Sequence, residues 1–224
     1  MSIRLEPVFL ANVLLFTDNI TTIKAFLFVS KNCQIAALTL KTNPAALSSS
    51  PQYITKFFPN INTMFIDELS ILSEFDTLPD TITNIILKSF KDTIGPEQRL
   101  NFTDRVVEIR HCWLWRTKDI SRFSNLQKVC LSTLPDTIHM PNHKLKRFTV
   151  HYIKSLRDAL PAFPVDCAEE IVLIFEYRRE FVEVKKKPLP ANFRVFCRQI
   201  CEGVSQDELF PWTNDCGDVT LSPK

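Results

Sequence analysis

Glycine is almost missing from these 224 residues: only Gly95, Gly203 and Gly217 occur. No two stand close enough to build G-x-x-x-x-G-K-[ST], G-x-G-x-x-G or G-x-S-x-G, whose glycines let backbone approach a phosphate or form a strained nucleophile turn. That argues against the common phosphate-cradling enzymes. A dominant charge is missing too. With 27 Lys and Arg against 25 Asp and Glu the net charge is +2, so no global field favours nucleic acid or an anionic membrane. Long apolar runs are lacking as well: Val8 to Phe16 and Ala25 to Val29 are separated by Asp18, Asn19 and Lys24, and neither reaches the roughly 20 residues of a membrane span. No small-residue cleavage site follows Arg4 and the first run, so cytoplasmic residence is expected. Seven cysteines, an odd number scattered apart from Cys197 and Cys201, read as reduced thiols rather than a disulfide framework.

What is present is a periodicity. Apolar residues at positions 1, 4 and 6 of a short segment recur as Ile61, Met64, Ile66; Ile82, Ile85, Leu87; and Val106, Ile109 with His111 in the third slot. The series continues with Leu126, Val129, Leu131, then Leu145, Phe148, Val150, and more weakly with Ile171, Ile174 and Phe193, Phe196. The starts at 61, 82, 106, 126, 145, 171 and 193 give intervals of 21, 24, 20, 19, 26 and 22 residues. The phrase Thr77-Leu78-Pro79-Asp80-Thr81-Ile82 returns as Thr133-Leu134-Pro135-Asp136-Thr137-Ile138, and prolines punctuate the segments, where backbone between strands must turn.

This spacing resembles that of leucine-rich repeats, in which L-x-x-L-x-L lays a short strand on the concave face of a solenoid. The ninth position, usually Asn or Cys in that family, holds Leu69, Phe90, Leu114, Leu134, Ile153, Arg179 and Cys201 here. Irregular repeats with apolar spines are therefore expected in place of an asparagine ladder. The alternative is an ordinary α/β domain with strands at a similar spacing.

The first 50 residues follow a helical period, through Leu10, Val13, Leu14, then Ile20, Ile23, Phe26, Leu27, then Ile35, Leu38. Asp18-Asn19 and Ser30-Lys31-Asn32 break the runs, giving about three short helices. The order Leu5-Glu6-Pro7, Val13-Leu14, Phe16, Ile20, Ile23, Phe26 and Val29-Ser30-Lys31 resembles an F-box. Glu6 interrupts the family's Leu-Pro, and the tryptophan usual after the lysine is absent. The whole chain thus resembles F-box-like and leucine-rich-repeat proteins, including divergent protozoan members. The fold class this implies is α/β: an F-box-like helical segment at 1–50, an irregular solenoid with a parallel concave sheet at 51–203, and a tail or cap at 204–224.

The resemblance implies a non-enzymatic interaction protein whose N-terminus binds a Skp1-type adaptor of a cullin ubiquitin ligase through Leu5, Pro7, Val8 and Phe9. Solenoids also need end caps, so the same helices could serve only to cover the first repeat, which would bury Pro7, Val8 and Phe9. Slots 2, 3 and 5 of each segment should face the concave side. They place Arg110, Lys128, Lys146 and Arg147 on three neighbouring strands, a basic patch suited to an acidic partner segment. Val172, Leu173 and Phe175 read as a strand apolar on both faces, either covered or an exposed partner site.

No catalytic, metal or cofactor constellation emerges. His139 and His143 are separated by Pro141 and lack the acid of H-E-x-x-H. Cys197, Cys201 and Cys216 lack a fourth zinc ligand nearby. Adjacent His111 and Cys112 fall on opposite faces of a strand. Arg178, Arg179 and Lys185-Lys186-Lys187, diluted by Glu180 and Glu183, read as a solvated rim rather than a nucleic-acid site. A hydrolase on a true α/β sheet is the rival reading; a pocket holding His111 or His151 would mark it.

Overall fold

The computed structural model describes residues 6–68, 71, 77–91, 101–113, 117–132, 137–153, 166–175 and 190–197. Two compact units divide the chain: residues 1–88 with 96–106, and residues 89–95 with 107–224.

The first unit opens with helices α1 (Pro7–Leu14), α2 (Ile20–Val29) and α3 (Lys31–Thr39), the three helices expected from the apolar spacing. Proline at the first turn starts α1 without losing a needed N–H. Asn19 caps α2 by accepting from the Thr22 amide at 2.8 Å, and Ser30, extended between α2 and α3, caps α3 by accepting from the Cys33 amide at 3.3 Å. Both α1 and α2 pack on α3. Their shared interior is Leu10, Ala11, Leu14, Ile23, Cys33, Ala36 and Ala37, all buried.

The coil begins before residue 51. Leu40 ends α3, and Thr42 forms a parallel bridge with Thr63 of β1 (Thr63–Glu68). Helix α4 (Pro51–Phe57) lies between the two in sequence. Leu40 is thus the first position of an extra rung, 21 residues before Ile61. Its fourth position is Asn43, fully buried where every later rung has an apolar residue. The Asn43 Oδ1 accepts from the Phe65 amide at 2.8 Å, and its Nδ2 donates to the carbonyls of Phe65 at 3.2 Å and Pro44 at 3.3 Å. Strand β2 (Asn84–Lys91) neighbours β1, and Ile82, Ile85 and Leu87 are fully buried. Because glycine is so scarce, the left-handed backbone before the short 3₁₀ turn at Thr103–Arg105 falls to Phe102, at φ 65°. Arg105 stacks on the Phe102 ring and donates to the carbonyls of Pro79 at 3.1 Å and Ile82 at 2.9 Å.

The second unit is a parallel solenoid of about four turns. Strands β3 (Val106–Trp113), β5 (Lys128–Leu131), β7 (Leu145–Ile153), β8 (Ala168–Phe175) and β9 (Phe193–Cys197) lie side by side in that order. All four successive pairings are parallel. Leu126, Val129 and Leu131, then Leu145, Phe148 and Val150, all turn into the core. Two further short strands, β4 (Thr117–Asp119) and β6 (Thr137–His139), form their own parallel pair. Beside them Phe123 meets the ninth-position Phe90 edge to face at 5.7 Å, one realised piece of the expected apolar spine.

A recurrent hydrogen bond sets the coil's phase. The second-slot carbonyl of one rung accepts from the second-slot amide of the next. In the first unit Asn62 donates to Lys41 at 2.9 Å and Thr83 donates to Asn62 at 3.0 Å. In the second unit Gln127 donates to Val107 at 2.8 Å and Lys146 donates to Gln127 at 2.8 Å.

Three details of the expected register are corrected. Ile109 pairs with Val129 but Cys112 with Leu131, so β3 carries one extra residue in a bulge. Cys112 fills the buried third slot, while His111 is exposed. Next, Leu145 pairs with Ala168 and Phe148 with Ile171, which moves the sixth start from Ile171 to Ala168. Ile171 in turn pairs with Phe193, moving the seventh start to Pro190. The last two intervals become 23 and 22 residues, and the range narrows to 19 to 24.

Candidate interaction surfaces

Helix geometry creates the first surface. In α1 the buried residues Leu10, Ala11 and Leu14 occupy one face, so residues at the complementary spacing face away from it. Those residues are nevertheless apolar: Val8 is 62% exposed, Phe9 59%, Val13 54% and Phe16 86%. At the end of α2, Phe28 is 87% exposed and Val29 74%, and Ile35 and Leu38 form an exposed pair on α3. Single exposed apolar side chains are ordinary; here many stand together on three short helices. Of the expected adaptor-binding residues, Val8 and Phe9 lie fully on this surface and Pro7 is half-buried. Leu5 lies outside the described residues. The burial of Val8 and Phe9 required by a purely capping role is not found. Near the end of α3, Asn60 Nδ2 donates to the carbonyl of Leu38 at 2.8 Å, tying that helix to the segment just before Ile61.

The second surface is the outward side of the second unit's sheet. Arg110, Lys128, Lys146 and Arg147 do fall on the neighbouring strands β3, β5 and β7. Lys128 stands opposite Glu108 on one side and Arg147 on the other. The patch is more mixed than the sequence implied. Arg110 Nε pairs with Glu108 of its own strand at 2.9 Å, and Arg147 Nε pairs with Glu170 at 2.6 Å. Arg194 Nε reaches the other Glu170 oxygen, also at 2.6 Å. Lys128 and Lys146 are exposed and have no ion-pair partner among the described residues. Glu169 and Glu170 escaped the sequence reading because β8 was framed three residues late, and Arg194, read as an outward slot of the last segment, was not counted in the patch. Ala168 and Pro190 in the first slot were the signal, but both are weak apolar markers.

Phe175 is corrected: it is fully buried and pairs with Ile153 and Cys197 in the ladder, so it offers no contact area to a partner. Leu173 points into the core at 1% exposure, and Val172 is covered as well. Between the long charged residues, Cys130, Thr149 and Val172 pair in a row across β5, β7 and β8, all buried.

An Asp, a Ser and a His meet at the β4–β6 pair, without the geometry of a hydrolytic triad. The Ser121 hydroxyl donates to Asp119 Oδ1 at 2.5 Å and the Ser121 amide to the same oxygen at 2.9 Å. The hydroxyl bond chiefly holds the Asp119 carboxyl below its ordinary pKa. The serine proton is thus committed to the carboxylate, and the group closes a turn; His139 is merely the cross-strand neighbour of Asp119. His143 Nε2 lies 2.6 Å from the Leu126 carbonyl. Burial pushes the Cys167 thiol up to about 11, the opposite of an activated nucleophile. Among the described residues no three His, Cys, Asp or Glu side chains gather as metal ligands, and no helix is long and apolar enough to cross a membrane.

The class of protein these features define is a parallel-β solenoid of about four turns preceded by helices. No protein-family model, curated protein or solved structure matches the chain.

Proposed function

We propose that this chain is a non-enzymatic protein–protein interaction scaffold whose N-terminal helices dock on a partner while the outward face of the solenoid holds a target. The observation that carries this reading is the apolar outer surface of α1 and α2, with Val8, Phe9, Phe16 and Phe28 each more than half exposed beside a well-packed interior. Exposed apolar area of this kind is stabilised by burial at roughly 25 cal/mol per Å² when a partner covers it. The F-box-like order of residues supplies the partner: a Skp1-type adaptor, with the protein acting as target-recognition subunit of a cullin ubiquitin ligase in the cytoplasm. In this reading one side of the helices covers the start of the solenoid while the opposite side docks.

The test is binding of the purified chain to a purified Skp1-type adaptor by calorimetry and gel filtration. The intact chain should form a stable complex. The double variant Val8→Glu, Phe9→Glu should keep its circular dichroism, because both side chains are exposed, and lose at least about tenfold in affinity, as for anchors at an interface centre. A folded intact chain that does not bind the adaptor would refute the ligase reading.

A further inference from the structure

The outward face of β5, β7, β8 and β9 shows by its own contacts what chemistry it takes. Glu170 is a resident carboxylate whose two oxygens are divided between guanidinium groups of the two flanking strands: Oε2 to Arg147 and Oε1 to Arg194, each at 2.6 Å. Arg194 remains 60% exposed while making this contact. Lys128 stands directly across from Arg147, one strand spacing of about 4.8 Å away. Lys146 precedes Arg147 in the chain and is exposed. Among the described residues of β5, β7, β8 and β9 this face thus carries four cations, Lys128, Lys146, Arg147 and Arg194, against two acids, Glu169 and Glu170, whereas on β3 Glu108 already holds Arg110. The positive excess is confined to β5 and β7 and continues through the shared carboxylate toward β9.

The geometry points to an extended acidic segment of a protein partner as the occupant of this face. Its carboxylates bind Lys128 and Lys146 and compete with Glu170 for Arg147 and Arg194. This deepens the scaffold reading, on which it rests, by naming the chemistry of the target. Charge complementarity selects this occupant over a nucleic acid. Glu108, Glu169 and Glu170 stand among the cations, where a continuous phosphate backbone would meet them. At the second, third and fifth slots of these rungs, among the described residues, Gln127, Lys128, Cys130, Lys146, Arg147, Thr149, Glu169, Glu170, Val172, Ala191, Asn192 and Arg194 include no aromatic ring on which a base could stack. Arg110, placed in the patch by sequence spacing, is replaced in it by Arg194.

Fluorescence anisotropy on the full chain provides the test. The probe is a labelled ten-residue peptide alternating Glu and Ser, compared with one alternating Lys and Ser and with a labelled oligothymidine. The acidic peptide should bind, and binding should weaken as salt rises. Lys128→Glu with Lys146→Glu should weaken it about tenfold or more, since each lysine becomes a repelling charge. Glu170→Gln should act in the opposite direction and tighten it roughly threefold or more, because two guanidinium groups lose their resident anion. All variants are checked by circular dichroism, and the lysine pair, both exposed, carries the test if Glu170→Gln fails to fold. No acidic-peptide binding at low salt by the folded chain overturns the proposal. So does undiminished binding by the lysine variant, an unchanged or weaker affinity in folded Glu170→Gln, or oligothymidine binding as tight as the peptide's. Adaptor binding measured on the same samples keeps the two hypotheses apart, since none of these substitutions touches α1–α3.

Discussion

Replacing Asn43 with alanine should be among the most damaging single substitutions in the first unit. The side chain is fully buried and makes three hydrogen bonds, of which the two to the Phe65 backbone join the rung begun at Leu40 to β1. Alanine removes both donor and acceptor. A buried backbone group deprived of its partner costs about 1–3 kcal/mol, and a satisfied bond is worth about 1 kcal/mol net, so the expected loss is about 2–4 kcal/mol. At about 2–4 °C per kcal/mol for a chain of this size, the unfolding midpoint falls by about 4–16 °C. The assay is urea and thermal unfolding by far-UV circular dichroism, with hydrogen exchange at the Phe65 amide as the local readout. Protection there should drop before the global transition moves. Asn43→Asp sharpens the test. It keeps an acceptor for the Phe65 amide, but its ionised form brings an unpaired charge into a buried site, whereas its neutral form restores one donor. Burial should raise this carboxyl's pKa, so the deficit relative to wild type should grow as pH rises through that pKa and shrink in acid. A stability change in Asn43→Ala within about 0.5 kcal/mol, with Phe65 exchange unaltered, would refute the view that Asn43 anchors the first rung.

The bulge in β3 predicts contrasting effects at adjacent residues: Cys112→Ser, placing a hydroxyl in a fully buried slot, should cost about 1–3 kcal/mol by urea unfolding, and His111→Ala, at an exposed position, should cost clearly less. Equal effects would refute the one-residue shift. Cys167, with its thiol at about 11 against an ordinary 9.0, should hold about 100-fold less thiolate than a free thiol at pH 8, and its alkylation should be correspondingly slow. Reaction continues to accelerate above pH 9, where an unperturbed thiol levels off. Iodoacetamide labelling mapped by mass spectrometry checks this, and a plateau near pH 9 would contradict it.

The rungs from Ile61 to Val150 were legible because each commits three apolar side chains to the same core positions, or two in the rung whose third slot reads as His111, which no solvated loop would preserve. The rung at Leu40 was hidden because Asn43 satisfies its slot by hydrogen bonding rather than by apolar burial. The starts at Ala168 and Pro190 were displaced by three because β8 offers several apolar registers and its first slot is filled by a small residue. His111 could not reveal the bulge, since an extra residue in a strand leaves no mark in composition. For the surfaces, Val8 and Phe9 entered through the F-box-like order of residues, and whether they face outward was left open until their exposure was seen. Glu108 already stood on the outward face beside Arg110 in the sequence, whereas Glu170, the partner of Arg147, was hidden by the misframed start of β8. The burial of Phe175 resolved an alternative that the sequence left open.

The relay of second-slot hydrogen bonds has a consequence for how such a chain changes over time. Pairing between neighbouring strands begins at the same slot of each rung, as from Val107 to Gln127 to Lys146, while the segments that connect the strands vary in length. A deletion or insertion between rungs leaves the next strand to be captured by the same carbonyl, and the bulge at Arg110 and His111 shows a surplus residue absorbed within a single turn. Length variation is thereby quarantined, so the two faces can diverge in sequence and loop size while the spacing of side chains across the sheet stays constant.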